Sequence, residues 1–221
     1  MTRSRLLGNS PLAHGWRLLR AEAPALTETV RPGQLLRLTA DGVDLTLPVS
    51  HASSAEGWLA ALAPPDSPAA ALALHAPLTL ELTGDGWDLA ALTAAPVIVG
   101  SDSGVGAALF AAERLAQTPR LVILGGAYPP PFRPVPSTYM TPDLPAHVIG
   151  AAPALEARGV VSRVASTADL PGCFDGTPAE LAALWLAING TAPVLACAPA
   201  AELEALAARL GAQLHGIAAP A

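Results

Sequence analysis

Cysteine is scarce in this chain. Cys173 and Cys197 are the only two, and they stand in unrelated contexts. Two thiols so placed build neither a disulfide framework nor a metal-ligand cluster. They are also too few to ligate an iron–sulfur cluster. The histidines do not make up the shortfall: His14, His51, His75, His147 and His215 are scattered, without metal-ligand spacing. Charge is scarce as well, 14% of residues against 52% hydrophobic. That balance excludes a disordered chain and leaves ample material for a core. The formal net charge of −6 lacks the basic footprint of a nucleic-acid binder. No apolar run is long enough to span a membrane. Residues 1–5 are basic but precede no apolar stretch, so they do not read as a signal peptide. The expected location is the cytoplasm.

Short apolar runs punctuated by Gly and Pro fill the N-terminal third. Residues 16–21, 34–39, 43–47, 72–74 and 78–82 read as strands. Asp41-Gly42 is a hairpin signal between two of them. Strands at this spacing predict a small antiparallel barrel. Pro64-Pro65-Asp66-Ser67-Pro68 reads as a surface loop. Near Asp88 the pattern changes to alternating strands and helices. Strands are predicted over 97–99, 121–124, 160–165, 194–197 and 213–215, and helices over 105–116, 151–158, 177–188 and 201–210. Thr177-Pro178-Ala179-Glu180 is a well-formed helix start. Alternation of this kind predicts a parallel sheet with covered faces. The expected architecture is therefore an antiparallel barrel over residues 1–92, followed by an α/β nucleotide-binding-like domain over 93–221. Residues 129–145 are Pro-rich, which denies both helix and central strand. They read either as a stiff loop or as an extended docking segment.

The stretch 96–116 carries the chemistry. A buried β-branched strand leads into Gly100-Ser101-Asp102-Ser103-Gly104-Val105-Gly106 and then into a helix. Glycines let backbone approach a ligand closely, and a helix N-terminus favours an anion. This points to a nucleotide phosphate cradle, in which a bulky residue at Gly104 would block the ligand while the sheet still forms. The alternative is that the glycines serve tight packing alone. Asp102 would repel a phosphate.

The order of these parts resembles the ferredoxin–NADP reductase superfamily, and within it the electron-transfer subunit of dihydroorotate dehydrogenase. Arg31-Pro32-Gly33-Gln34 resembles the family's R-P-G-Q turn. Thr83-Gly84-Asp85-Gly86-Trp87-Asp88-Leu89 resembles the end of its barrel, and 97–108 its pyridine-nucleotide loop. Residues 171–177 resemble its next glycine-bearing loop, and Ala196-Cys197-Ala198-Pro199 its C-G-P turn. The resemblance implies a flavin-binding barrel and an NAD(H)-binding domain. Pro48 and Ser50 would hold FAD. Gly100, Ser101, Ser103, Gly104 and Gly106 would hold the nucleotide, with Pro199 and a catalytic Cys197 beside the nicotinamide. A redox partner or catalytic subunit is implied.

The flavin motif R-x-Y-S is matched by Leu47-Pro48-Val49-Ser50. Leu replaces the Arg, so a flavin diphosphate would lose its charge-assisted partner. Val replaces the aromatic residue. No iron–sulfur cluster and no metal site is expected. Two readings follow: an oxidoreductase passing electrons between NAD(H) and a flavin, or a non-catalytic relative that binds a partner or another nucleotide.

Overall fold

The computed structural model describes residues 2–40 and 42–220. Of the Asp41-Gly42 turn, Asp41 lies outside the described residues. The N-terminal part is built from β1 (Thr2–Pro11), β2 (Arg17–Glu22), β3 (Leu35–Ala40), β4 (Val43–Ser53), β5 (Trp58–Ala63) and β6 (Pro77–Thr83). These six strands close into a barrel in the order β1-β2-β5-β4-β3-β6, every pairing antiparallel. Alternation fills it. Leu36 and Leu38 of β3, Leu45, Leu47 and Val49 of β4, and Leu78 and Leu80 of β6 share one apolar core. Successive side chains of a strand point to opposite faces, so these residues face inward together.

The barrel departs from the sequence reading at three places. β1 carries few β-branched residues, and β5 reads Trp-Leu-Ala-Ala-Leu-Ala, without period-2 alternation. Neither run signals a strand, and both are recruited by their neighbours. Residues 72–74 form no strand. A 3-10 turn, Pro68–Ala71, precedes them, and Leu72 plugs the barrel core instead.

The C-terminal part contains β7 (Val97–Ser101), α2 (Val105–Arg114), β8 (Leu121–Gly126), β11 (Ser162–Ser166), β12 (Phe174–Asp175), α4 (Pro178–Asn189), β13 (Val194–Ala198), α5 (Ala200–Leu210) and β14 (Leu214–Ala218). The labels α1 (Pro24–Thr27), β9 (Val135–Pro136), β10 (Gly150–Ala151) and α3 (Pro153–Glu156) belong to short connecting pieces. The sheet is parallel, in the order β12-β11-β8-β7-β13-β14. Ile98, Val122, Leu124 and Leu195 pack with α2 on one face, while Val97, Val99, Ile123 and Ala196 pack with α4 and α5 on the other. Strands covered on both faces explain the continuous apolar runs. At the start of α4, Thr177 and Glu180 form a reciprocal capping box.

The Pro-rich segment is tied down along its length. Trp16 Nε1 donates to the Pro129 carbonyl at 2.8 Å, and His14 Nδ1 lies 2.8 Å from the Pro130 carbonyl. Buried Arg163 donates to the Tyr139 carbonyl at 2.6 Å and to Thr141 Oγ1 at 3.1 Å. Among the described residues, no helix is long and apolar enough to cross a membrane.

Gly125, at the end of β8, has φ +143, and a Cβ there would lie 1.8 Å from the Ala165 carbonyl oxygen of β11. Backbone cannot yield at a strand pairing. Gly125→Ala is expected to cost about 3 kcal/mol or more, measured by chemical denaturation. Gly190 also has positive φ but has nothing within 4 Å, so Gly190→Ala should cost only about 1 kcal/mol. Equal losses in the two variants would show that the β8–β11 contact is not the constraint.

Candidate functional site: the cleft between barrel and sheet

Ligands of open α/β sheets bind beyond the carboxyl ends of the strands. Here those ends face the barrel across a cleft of about 700 Å³. Asp44, Leu45, Thr46 and Leu47 of β4 form one wall, with Pro64, Asp66, Ser67 and Pro68 beside them. Asp102 and Ser103 after β7, Tyr128 after β8, Pro199 and Ala200 after β13, and Ala219 and Pro220 after β14 form the other. The volume lies within the usual range for a small organic ligand.

The glycine turn after β7 sits at the floor of this cleft and is filled by the protein itself. A Cβ on Gly100 would lie 2.6 Å from Ala108 Cβ; one on Gly104, 1.9 Å from the Cys197 carbonyl oxygen; one on Gly106, 3.0 Å from Ser50 Cβ. These glycines let α2 press against β7, β13 and β4 at once. A bulky residue at Gly104 would therefore push β13 away, contrary to the expectation that it would spare the sheet. The serines are engaged too. Ser101 Oγ donates to Glu202 Oε1 at 2.7 Å, and Ser103 Oγ donates to the Pro220 carbonyl at 2.7 Å. Of the five loop residues singled out in the sequence, only Ser103 lines the cleft.

Asp102 adopts φ +50, uncommon for a residue with a side chain. Its Oδ1 accepts from the backbone N–H groups of Ala127 at 2.9 Å and Tyr128 at 3.2 Å. The chain thus places its own carboxylate on donors that would otherwise face the cleft. Burial pushes this carboxyl above its ordinary range, and the two N–H bonds offset the shift only in part.

Cys197 and Pro199 end on different sides of the same turn. Pro199 lines the cleft, whereas Cys197 is wholly buried in β13, and burial pushes its thiol up to about 12. Cys173 is likewise buried and raised, to about 11. Both thiols are protonated at neutral pH and are poor nucleophiles.

On the barrel side, β4 carries a bulge. Val49 pairs with Ala61 and His51 with Ala60, which leaves Ser50 as the extra residue. A bulge re-aims the side chain it carries. Ser50 turns toward Gly106, and its Oγ is buried without a hydrogen-bond partner among the described residues. Pro48 lies on the same surface, its carbonyl 3.5 Å from where a Gly106 Cβ would stand. Leu47 and Val49, which stand where the flavin motif has Arg and an aromatic, belong to the barrel core. His51 leaves this surface: its Nδ1 lies 2.5 Å from Glu113 Oε2.

Three residues of the site carried no signal in the sequence. Asp44 and Asp66 belong to a strand and a loop that fold against the sheet only in three dimensions. Tyr128 follows β8, packs edge-on against Trp16 with ring centroids 6.4 Å apart, and donates its hydroxyl to Asp66 Oδ2 at 2.9 Å. Its position just past a parallel strand was the one available hint.

The apolar lining and the Tyr128 ring suit a flat aromatic group. A diphosphate is not matched. Among the described residues no arginine lines the cleft, all twelve cationic side chains of the chain are arginines, and three carboxylates line it.

A closed antiparallel barrel followed by a six-stranded parallel sheet, with a cleft between them, is a fold that solved reductase structures share. The ferredoxin reductase in carbazole 1,9a-dioxygenase matches 98% of this chain and 68% of its own, with a TM-score of 0.70 at 12% identity. Phthalate dioxygenase reductase matches 98% and 67%, at 0.67 and 11%. A ferredoxin NADP+ reductase from Neisseria gonorrhoeae, with bound FAD and NADP, matches 98% of both chains, at 0.61 and 13%. At such identities the likeness is one of fold. No protein-family model matches the chain, and no curated protein matches it.

An acid raised in the folded state opposes folding when ionised. That penalty is complete above the folded value and disappears below the unfolded one. Asp102→Asn keeps the acceptor for Ala127 and Tyr128 and tolerates the left-handed backbone. It is expected to raise the thermal midpoint at pH 7, with the gain shrinking as pH falls through the carboxylate range. A variant less stable than the parent at pH 7 would mean that the charge on Asp102 strengthens its two N–H bonds by more than burial costs.

Proposed function

We propose that the chain is a ferredoxin reductase-like oxidoreductase or electron-transfer subunit that works between NAD(H) and a flavin and serves a redox partner protein. The observation that carries this reading is the position of the cleft, where β4 meets the carboxyl ends of β7, β8 and β13. We divide the chain accordingly, 1–92 as the flavin-type barrel and 93–221 as the nucleotide domain. The shared fold supports the reading, as do the FAD and NADP bound in one structure of that fold. The Ser50 hydroxyl, unpartnered among the described residues, lies behind the lining of the cleft, on the face of β4 that meets α2. A bound flavin would supply the redox chemistry. The chain's own part would be to seat its ring against Tyr128 and to exclude water from the cleft. Pro48 and Ser50 are the proposed flavin neighbours. Gly100, Ser101, Ser103, Gly104 and Gly106 shape the proposed nicotinamide side, with Cys197 behind it and Pro199 at its rim.

A second reading is a non-catalytic relative that uses the same shape to bind a protein or another ligand. The carboxylates of the cleft favour it. Flavin content separates the two. The first reading expects purified protein with flavin absorption bands and near-stoichiometric flavin. Colourless protein that takes up no added flavin of any kind would leave the second.

Any nicotinamide nucleotide bound is expected to be NAD(H). No cation follows β8, which runs into Gly125-Gly126-Ala127-Tyr128, and a 2′-phosphate would meet the Asp102 carboxylate. NADH should bind at least about tenfold tighter than NADPH, or roughly 1.4 kcal/mol, in competition titrations at fixed ionic strength. The reverse preference would point to Arg120 or Arg133 as part of the site.

A further inference from the structure

We propose that the cleft selects a flavin without phosphate, a riboflavin-like ring and polyol chain, and discriminates against FMN and FAD through Asp66 and Asp102. This rests on the cleft being a flavin site.

Asp44 is largely neutralised, because Arg37 Nη2 lies 2.7 Å from its Oδ2 and Arg37 Nε donates to its Oδ1 at 3.2 Å. Asp66 and Asp102 have no such partner. Asp66 Oδ2 accepts from the Tyr128 hydroxyl, and Asp102 Oδ1 accepts from two backbone N–H groups. The second oxygen of each accepts no hydrogen bond from a described residue. Two carboxylates with free acceptor capacity, on opposite walls of one cleft, match ligand hydroxyls. They repel a phosphate, and the cation beside the cleft, Arg37, is taken up by Asp44.

The neutral polar groups of the cleft do not alter this balance. Ser67 Oγ donates to the Pro64 carbonyl at 2.7 Å and Ser103 Oγ to the Pro220 carbonyl. Both hydroxyls already spend their protons within the chain. A polyol brings several hydroxyl donors to a surface rich in acceptors. FMN replaces the terminal hydroxyl with a dianion, and FAD carries a diphosphate at the same position. Tyr128 and Pro199 offer the flat ring its contact.

The test is a flavin fluorescence-quenching titration of the full chain with riboflavin, FMN and FAD at fixed ionic strength. Riboflavin should bind at least about tenfold tighter than either phosphorylated form. Raising the salt concentration should narrow the gap, because the discrimination is electrostatic. Asp66→Asn and Asp102→Asn should each shift the ratio of FMN to riboflavin affinity toward FMN by roughly fivefold, through gained FMN binding and lost polyol contacts together. Circular dichroism confirms that each variant is folded, and two variants on separate elements guard against the loss of one. FMN or FAD bound as tightly as riboflavin by the parent chain would overturn this selectivity and leave the flavin reading intact. No flavin of any kind bound by folded protein would overturn both.

Discussion

The close approach of α2 to three strands at once is the constraint on which this structure depends. Gly100 brings the helix onto its own strand β7, Gly104 brings it against the Cys197 carbonyl of β13, and Gly106 brings it against Ser50 of β4. The first two contacts hold the sheet to its covering helix. The third joins the sheet to the barrel. Because packed interiors leave no slack, the approach of the two halves depends on the absence of a side chain at Gly106. Phe110 of the same helix lies in the barrel core cluster, while Ala107, Ala108 and Ala111 lie in the cluster beneath the sheet. One helix therefore belongs to both cores.

That packing changes what the glycine turn does. A turn that cradles phosphate must leave its N–H groups facing outward. Here the turn is closed over by β13, by Ser50 and by the Ser101–Glu202 bond. The nearest outward-facing donors, on Ala127 and Tyr128, are held by Asp102. Its positive φ is the conformational strain that accompanies this arrangement. The chain thus supplies its own anion to these donors, and the cleft combines an aromatic and apolar lining with three carboxylates.

The barrel illustrates the limits of local pattern. β3 and β6 alternate strictly and were legible. β5 was not, because alanine-rich runs carry no strand signature and are drawn into the barrel by Leu59 and Ala61 facing its core. The Pro-rich segment was legible as irregular but not as fixed. Its anchors, Trp16, His14, Arg163 and Glu156, are distant in sequence and polar only at their tips. The two cysteines were legible in their absence of partners, and burial explains their inertness.

What the sequence determined by itself is the succession of elements: short strands with Gly and Pro turns, then strands of Val, Ile and Leu alternating with capped helices. Those signals are local, because periodicity and capping act within a few residues. The cleft was decided by tertiary structure alone. Asp44, Asp66 and Tyr128 come from a strand, a loop and a strand end and do not stand out in their own segments, whereas Asp102 does so in its glycine turn. Only the docking of α2 on β4 brings their charges to one surface. Electrostatic character depends on distances between elements, and no local run of residues encodes those.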